Sequence, residues 1–459
     1  MLAAATVLLL TVTVGIVIDP ASVGLSTVST QAAGSSASAV ATGHTTTVAV
    51  EMINTRFVPD SIGVPIGDEL VITLTNSDDM VHNLVLETGL VSGSLDPGAS
   101  ETVRVGVIGA SVAGWCSIAG HRLLGMEISI VAVGGDDSTS TAADDGLSMD
   151  GMHAGHGSAA TGTSAADDID PMAEPDPGFE ARDATLPPAA SVTVHRQTLT
   201  VQNVPTEVAP GVTQMLWTFN GTAPGPTLRG KVGDVFEITL VNGGTMGHSI
   251  DFHAGTVAPD ENMRTIQPGE SLVYTFTATR SGIWLYHCST MPMSVHIANG
   301  MFGAVIIDPP GLSEVDREYL VVQSELYLGA QGGEVDDVKV EAQTPDLMVF
   351  NGYANQYAAR PLQARVGETV RVWVLDAGPN VGSAFHVVGG QFHTVYKEGD
   401  YSLKDGGSTG TGGSQVLDLA AAQGGFVELS FSEAGHYPFV SHIMSDAEKG
   451  ARGILEVLP

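Results

Sequence analysis

The sequence predicts an all-β chain of three Greek-key β-sandwiches, preceded by an apolar N-terminal segment and interrupted by a disordered linker. Composition is the first observation, since 56 Gly and 23 Pro among 459 residues, with abundant Val and Thr, favour short strands joined by turns. A period of two is the second, and it is seen in Asp234–Val241, Ser271–Thr277 and Thr369–Leu375. Repeated short strands with turn residues between them are typical of β-sandwiches.

A motif that recurs along the chain is the third observation. Three similar motifs each precede a predicted strand, beginning at Pro65 (PIGDEL), Lys231 (KVGDVF) and Arg365 (RVGETV). A motif that recurs at comparable places in three blocks indicates three related domains. The predicted divisions are an export or anchor segment with spacer over 1–45, a first sandwich over 46–133, a linker over 134–189, a second sandwich over 190–309 and a third over 310–459.

The linker prediction depends on composition. Residues 134–189 are rich in Asp, Ser, Thr, Ala and Gly and contain almost no aromatic residues. Such a segment buries too little apolar surface to offset its ordering entropy, so we expect a flexible acidic linker. Its Met149–His156 stretch contains two Met and two His, which either bind copper weakly or stand there by coincidence.

The N-terminal segment indicates export or anchoring. The run from Leu2 to Ile18 has no charge, and Ala37–Ala39 matches a small-residue cleavage site, yet the first basic residue is Arg56. The run is short for a membrane span, so a cleaved signal, an anchor and a buried core helix all remain open. We expect an extracytoplasmic protein that is anchored at the cell surface, secreted or periplasmic, with membrane association through the N-terminus.

The charge balance excludes some partners. Lys and Arg number 18 against 51 Asp and Glu, a formal net charge of −33. A nucleic-acid partner is not expected, because a phosphate backbone requires a basic surface. With two Cys the chain could form at most one disulfide, and both Cys stand in metal-ligand patterns instead.

The second sandwich contains the clearest of these patterns. Cys288 is followed by His296 and Met301, and His248 lies upstream. One thiolate, two imidazoles and a weak thioether are the ligand set of a mononuclear blue-copper (type 1) electron-transfer site. Zinc more often takes Cys and His without a thioether.

Side-chain parity predicts a second metal site behind the first. Neighbouring side chains along a strand point to opposite faces, so His287 faces outward if Cys288 faces inward. His253 has the opposite parity to His248, and Asp251 shares the parity of His253. We therefore predict an outer site of His253 and His287 with Asp251 beside it, joined to the inner site through the peptide between His287 and Cys288.

From about Ala190 to Pro459 the chain resembles the copper-containing nitrite reductases. The motifs that carry this resemblance are Phe219–Thr227 (FNGTAPGPT), Gly247–His253 (GHSIDFH), Tyr286–Ser289 (YHCS), His296–Met301 (HIANGM) and Ser383–His386 (SAFH). The resemblance implies cupredoxin-like domains, type 1 copper on His248, Cys288, His296 and Met301, and type 2 copper on His253 and His287. It further implies a homotrimer in which His442 of the next subunit completes the type 2 site.

The resemblance also implies the reaction. Nitrite is reduced by one electron and two protons to nitric oxide and water, with Asp251 and His386 as the proton-delivering pair. The expected electron donor is a small cupredoxin, a cytochrome c or a component of a quinol chain. His393 and His436 match no functional position and are interpreted as structural or exposed.

The first sandwich departs from the usual two-domain enzyme. His82, Cys116, His121 and Met126 again supply His, Cys, His and Met, in a pattern similar to small cupredoxins such as auracyanin and azurin. Trp115 precedes the Cys where a His would be needed for a second metal, so this domain is interpreted as a tethered electron carrier. The prediction is thus two type 1 coppers and one type 2 copper per chain. A degenerate sandwich kept for anchoring is the alternative.

Two other functions remain as alternatives. A laccase-like multicopper oxidase shares the Phe219–Thr227 motif but needs His-x-His pairs, and this sequence has none. A non-catalytic copper electron-transfer or storage protein would account for the two blue-copper patterns. It would leave His253, His287 and His442 unexplained.

Overall fold

The computed structural model describes residues 41–78, 80–118, 121, 122, 124–133, 164–167, 169, 170 and 173–459. The apolar N-terminal run, the candidate cleavage site and the Met149–His156 stretch lie outside the described residues. Within the described ranges, none of the helices has both the length and the apolar character needed to cross a membrane.

The first sandwich has two four-stranded sheets. Its strands are β1 Thr45–Met52, β2 Phe57–Val58, β3 Ser61–Pro65, β4 Glu69–Asn76, β5 Val85–Leu86, β6 Ser100–Val107, β7 Val112–Trp115 and β8 Glu127–Val133. One sheet has the order β2-β1-β4-β6 and the other β3-β8-β7-β5. Alternating burial along β3 and β8 points one face of each strand into a core formed by both sheets.

The second sandwich repeats this plan. Its elements are β9 Val194–Ala209, β10 Val212–Phe219, β11 Leu228–Lys231, β12 Val235–Asn242, β13 Asp251–Phe252, α1 Pro259–Asn262, β14 Ser271–Thr277, β15 Gly282–His287, α2 Met293–Ala298 and β16 Phe302–Asp308. The sheets have the orders β10-β9-β12-β14 and β11-β16-β15-β13. As in the first domain, the first long strand pairs in parallel with the strand that follows the turn motif.

The third sandwich is larger. Its elements are β17 Arg317–Leu326, α3 Asp337–Glu341, β18 Leu347–Phe350, α4 Gln356–Ala359, β19 Leu362–Arg365, β20 Thr369–Asp376, β21 Ser383–Val387, β22 Thr394–Lys397, β23 Asp400–Leu403, β24 Leu417–Leu419, β25 Gly424–Ser430, β26 Gly435–Ser441, α5 Met444–Glu448 and β27 Arg452–Leu458, with a 3-10 turn at Gly407–Thr409. A six-stranded sheet, β18-β17-β20-β25-β22-β23, faces a five-stranded one, β19-β27-β26-β21-β24. The predicted fold class of three β-sandwiches is confirmed.

The repeated motif is the turn by which the chain leaves one sheet for the other. Gly67, Gly233 and Gly367 have φ angles of +93°, +98° and +83°, a region that favours glycine. They join β3 to β4, β11 to β12 and β19 to β20, and each pair of strands belongs to opposite sheets. The echo in the sequence therefore marks one topological position in all three domains.

The end of the predicted flexible linker is ordered, so the prediction is wrong for that part. Ala184 packs into the core of the third sandwich, Leu186 is also buried, and Thr185 forms a bridge with Tyr319. The backbone amide of Arg182 donates to Gln356 Oε1 at 2.8 Å. The prediction used the average composition of residues 134–189, which does not reveal a few apolar residues that pack near the C-terminal end of the segment.

The second and third sandwiches share a hydrophobic core. Ile283, Leu285 and Phe302 of the second pack with Trp373 and Phe426 of the third. This contact joins the two domains into one body. Candidate ligands lie in the segments that follow β12, β15 and β26.

Candidate metal centres

The inner cluster of the second sandwich lies where three connections meet. His248 follows β12 and pairs with Ile266, Cys288 directly follows β15, and His296 lies on α2. Cys288 Sγ is 3.2 Å from His296 Nδ1 and 3.9 Å from His248 Nδ1, and the two Nδ1 atoms are 3.3 Å apart. All three residues are buried. Met301 is also fully buried, and its carbonyl accepts a hydrogen bond from the Cys288 amide at 3.1 Å.

These separations fit a shared metal ion. Nitrogen ligands about 2.0 Å and sulfur ligands about 2.3 Å from one ion, at near-tetrahedral angles, lie about 3.3 Å (N to N) and about 3.5 Å (N to S) apart. The observed N–N separation of 3.3 Å matches, and the two observed N–S separations, 3.2 and 3.9 Å, lie on either side of the expected one. His248 Nε2 is buried without a hydrogen-bond partner. A thiolate with two Nδ1 atoms aimed at one point is a donor set that suits a soft transition metal.

The surroundings prepare Cys288 to be a ligand. Burial acts to raise the pKa of its thiol, but hydrogen bonding and charge from His248 and the backbone amides of Ser249 and Thr290 lower that pKa overall. Burial lowers the pKa of His296 to about 4. A lowered thiol pKa favours the thiolate of Cys288, and a lowered imidazole pKa favours neutral His296. These are the forms that bind metals.

An outer cluster lies on the other side of the same strands. His253 Nε2 is 3.1 Å from His287 Nε2, and Asp251 Oδ2 is 3.7 Å from His253 Nε2. Asp251 stands directly opposite His287 in the antiparallel β13–β15 pair. Burial lowers the pKa of His253, the charge of His287 lowers it further, and Asp251 opposes both.

Two further histidines form a separate pair in the third sandwich. The rings of His386, on β21, and His442, just after β26, are 5.2 Å apart at 79°. His386 Nδ1 is 2.6 Å from the Gln415 carbonyl oxygen, so it is the donor and Nε2 is left for another partner. Among the described residues of one chain, neither His386 nor His442 joins the cluster of Asp251, His253 and His287.

The first sandwich carries a cluster built like the inner one. His82 Nδ1 and His121 Nδ1 are 3.0 Å apart, and Cys116 Sγ is 3.5 Å from His121 Nδ1 and 3.9 Å from His82 Nδ1. Met126 is fully buried, and its carbonyl accepts from the Cys116 amide at 3.0 Å. The residue before Cys116 is Trp115, whose ring lies under the Arg122 guanidinium at 4.5 Å.

The structure adds residues that the sequence analysis missed. The residue after the first His holds the segment after the Cys in both domains. Asn83 Oδ1 accepts from the Ser117 amide at 2.8 Å, and Ser249 Oγ accepts from the Ser289 amide at 3.1 Å. In both domains this polar residue directly follows the first candidate His, and that adjacency can be read from the sequence.

Trp217 is a second omission. Its indole meets the edges of the His248 and His296 rings at centroid distances of 5.6 and 4.8 Å, and its Nε1 donates to Glu334 at 2.9 Å. It thereby fixes the orientation of two candidate ligands. Nothing in the spacing of the sequence singles out this tryptophan. Among the residues that the structure describes, His393 and His436 belong to none of the candidate metal clusters. His436 is exposed and lies 3.8 Å from Glu456.

Comparison with known proteins places the chain in a family. Residues 200–311 match the family model described as multicopper oxidase. A copper-containing nitrite reductase of Alcaligenes xylosoxydans xylosoxydans is 34% identical over 272 residues, which are 52% of this chain and 79% of the relative. The chain belongs to the copper-containing nitrite reductase family.

Two further copper nitrite reductases show how much of each chain the similarity covers. The relative from Neisseria gonorrhoeae is 37% identical over 258 residues, 54% of this chain, and the chain spans 64% of that relative's length. A solved copper nitrite reductase from Nitrosomonas europaea is 33% identical, with a TM-score of 0.52, covering 57% of this chain and 94% of its own. The resemblance inferred from the motifs is confirmed for that share of the chain.

Proposed function

We propose that the chain is a copper nitrite reductase that forms nitric oxide, with its own N-terminal cupredoxin domain as the electron donor. Residues 190–309 and 310–459 form the catalytic body, and 46–133 form the donor domain. Each chain holds two type 1 coppers and one type 2 copper. The observation that carries this proposal is that two candidate metal clusters lie back to back, one containing His287 and the other containing Cys288. A protein that only transferred electrons would need one such cluster.

Three clusters of described side chains support this copper count, two of one Cys and two His and one of one Asp and two His. His248, Cys288, His296 and Met301 would hold one type 1 copper, and His82, Cys116, His121 and Met126 would hold the other. Copper supplies one-electron redox chemistry and a positive charge that attracts an anion. That local charge accounts for nitrite binding despite a chain charge of −33.

The type 2 site is shared between subunits. His253 and His287 give two imidazoles, and two are too few to retain a catalytic metal. His442 lies apart from them within one chain, next to His386. A homotrimer with cyclic symmetry brings His442 and His386 of one subunit to His253 and His287 of the next, and so completes each site.

Protons come from the two titratable groups at this junction. The reaction consumes two protons and one electron per nitrite, and releases nitric oxide and water. Asp251 is beside His253, with its Oδ2 3.7 Å from His253 Nε2. His386 Nδ1 donates to the Gln415 carbonyl, which leaves Nε2 as the atom that takes up a proton and then delivers it.

The N-terminal domain carries electrons and has no type 2 site. Trp115 stands where the second sandwich has His287, so no imidazole extends from Cys116 to an outer metal. External electrons come from a small cupredoxin, a cytochrome c or a quinol chain. We place the protein outside the cytoplasmic membrane, associated with it through residues 1–45, as part of denitrification.

Formation of nitric oxide tests the function. Copper-loaded protein is mixed anaerobically with nitrite and dithionite-reduced methyl viologen, and nitric oxide is followed with an electrode. We expect His442→Ala to lose more than about 100-fold in rate. His436→Ala is the matched control, an exposed His in the same domain, and retains the wild-type rate. Fully loaded wild-type protein that forms no nitric oxide would overturn the proposal.

A further inference from the structure

Ile118 packs against the hydrophobic cores of two domains. It lies in the short loop between Cys116 and His121, and its carbonyl accepts from the His121 amide at 3.0 Å. It is partly buried, packing both against the core of its own sandwich and against the core of the second sandwich. An apolar side chain in the ligand loop of one domain is thus partly covered by another domain.

The core of the second sandwich that Ile118 packs against includes neighbours of a candidate ligand. Val295 and Ala298 belong to that core and lie with His296 on α2, and Val340 belongs to it and lies on α3. His121 and His296 are 4% and 2% exposed, so both candidate ligands are shielded from water.

We propose that the N-terminal sandwich docks through Ile118 onto the second sandwich of its own chain, at the surface beside His296 and α3, and that electrons cross at this contact. This inference rests on the proposed function and adds where the donor domain binds and which chain it serves. Because the docked domain covers the approach to His296, external donor proteins deliver electrons to the N-terminal copper first.

A weak contact between tethered domains suffices for repeated electron transfer. Electron-transfer contacts between proteins are small and weak, which allows rapid release. Covalent linkage compensates for weakness by raising the effective concentration. With both clusters loaded, one electron would pass from Cu(I) held by His82, Cys116 and His121 to Cu(II) held by His248, Cys288 and His296. The first ion would become Cu(II) and the second Cu(I), and no proton or bond would be transferred.

Hydrogen–deuterium exchange tests the docking without reference to activity. We compare full-length wild type with Ile118→Glu and with Val107→Glu, the same change at an exposed valine of the same domain. Ile118→Glu should speed exchange in peptides that contain α3 and α2, and Val107→Glu should not. Ile118→Ala, which adds no charge, should give a smaller change in the same peptides. Unchanged exchange in both Ile118 variants would overturn the proposal.

A single-turnover experiment tests the electron path. Fully reduced protein is mixed with excess nitrite, and the return of the blue absorption is followed. Cys116→Ser identifies the half of the amplitude that belongs to the N-terminal copper. In Ile118→Glu we expect that half to return at least about tenfold more slowly, while Val107→Glu matches wild type. Equal rates in all three would overturn the inference, whereas no return of colour in wild type would overturn the proposed function instead.

Mixed trimers decide which chain the donor domain serves. Chains with Cys116→Ser keep only the core type 1 copper, and chains with Cys288→Ser keep only the N-terminal one. In trimers that contain both, same-chain docking predicts that the N-terminal copper stays reduced after nitrite is added. Its rapid oxidation would show transfer to a neighbouring subunit and contradict docking on its own chain.

Discussion

His287 and Cys288 are joined by one peptide bond, yet their side chains belong to different clusters. His287 Nε2 is 3.1 Å from His253 Nε2, and Cys288 Sγ is 3.2 Å from His296 Nδ1. The alternation of side chains at the end of β15 produces this division. A covalent path therefore runs directly from one cluster to the other.

Removing either cysteine should remove one blue copper. A serine hydroxyl does not replace a thiolate in a type 1 site, so Cys288→Ser and Cys116→Ser should each lose about half of the blue absorption. Cys288→Ser should also lose more than about 100-fold in nitrite reduction, because electrons no longer reach the outer cluster. Cys116→Ser should retain reduction with methyl viologen as donor. Absorption spectra and copper analysis check both variants, and full colour in either would contradict its assignment.

Asp251→Asn should slow the reaction. The amide keeps the size of the side chain but cannot deliver a proton, and general acid catalysis contributes about 100-fold or more. We expect kcat to fall by about that factor while the copper content stays constant. Asp260→Asn, on the exposed helix α1, is the matched control and should behave as wild type. If kcat of Asp251→Asn stays within twofold of wild type, proton delivery by Asp251 is wrong.

Complementation should show that the outer site is shared. His287→Ala and His442→Ala trimers should both be inactive, while trimers reassembled from an equal mixture should recover about a quarter of the wild-type rate. About three in four random trimers are mixed, and each mixed trimer has one intact site out of three. The rate is measured after refolding the mixture together and, as control, after combining separately folded trimers. Recovery in neither sample would contradict a site built between subunits.

Metal-free protein should lose stability as pH falls below about 6.5. Unfolded histidines take up protons near that pH. Burial keeps folded His296 and His121 neutral until about pH 4 and about pH 3. The unfolded state then binds more protons, so the free energy of unfolding decreases with falling pH, by up to about 2 kcal/mol per group at pH 5.

Urea denaturation at pH 7.5 and pH 5 measures this decrease. His296→Asn removes one titrating group and should show a smaller loss between the two pH values than wild type. His436→Asn is the control, since that ring is exposed. An equal loss in His296→Asn and wild type would contradict the assignment to His296.

Local patterns predicted much of the site from sequence, because ligand spacing and strand parity are local properties. His287 and Cys288 could be assigned to different clusters from adjacency alone, and Gly67, Gly233 and Gly367 marked the same turn in three domains. Contacts between distant segments were not accessible in this way. Trp217 reaches His248 and His296 across the second sandwich, and only the packing inside that domain reveals it. The anchoring of Ala184 and Leu186 was missed because a few apolar residues were hidden in a polar tract.

The electron paramagnetic resonance spectrum of copper-loaded protein, recorded before and after nitrite is added, distinguishes a nitrite reductase from an electron carrier. We expect three coppers per chain, two with type 1 signals and one with a type 2 signal that changes when nitrite binds. Type 1 signals without any type 2 signal in fully loaded protein would contradict it. The protein would then be an electron carrier, and His253, His287 and His442 would hold no metal.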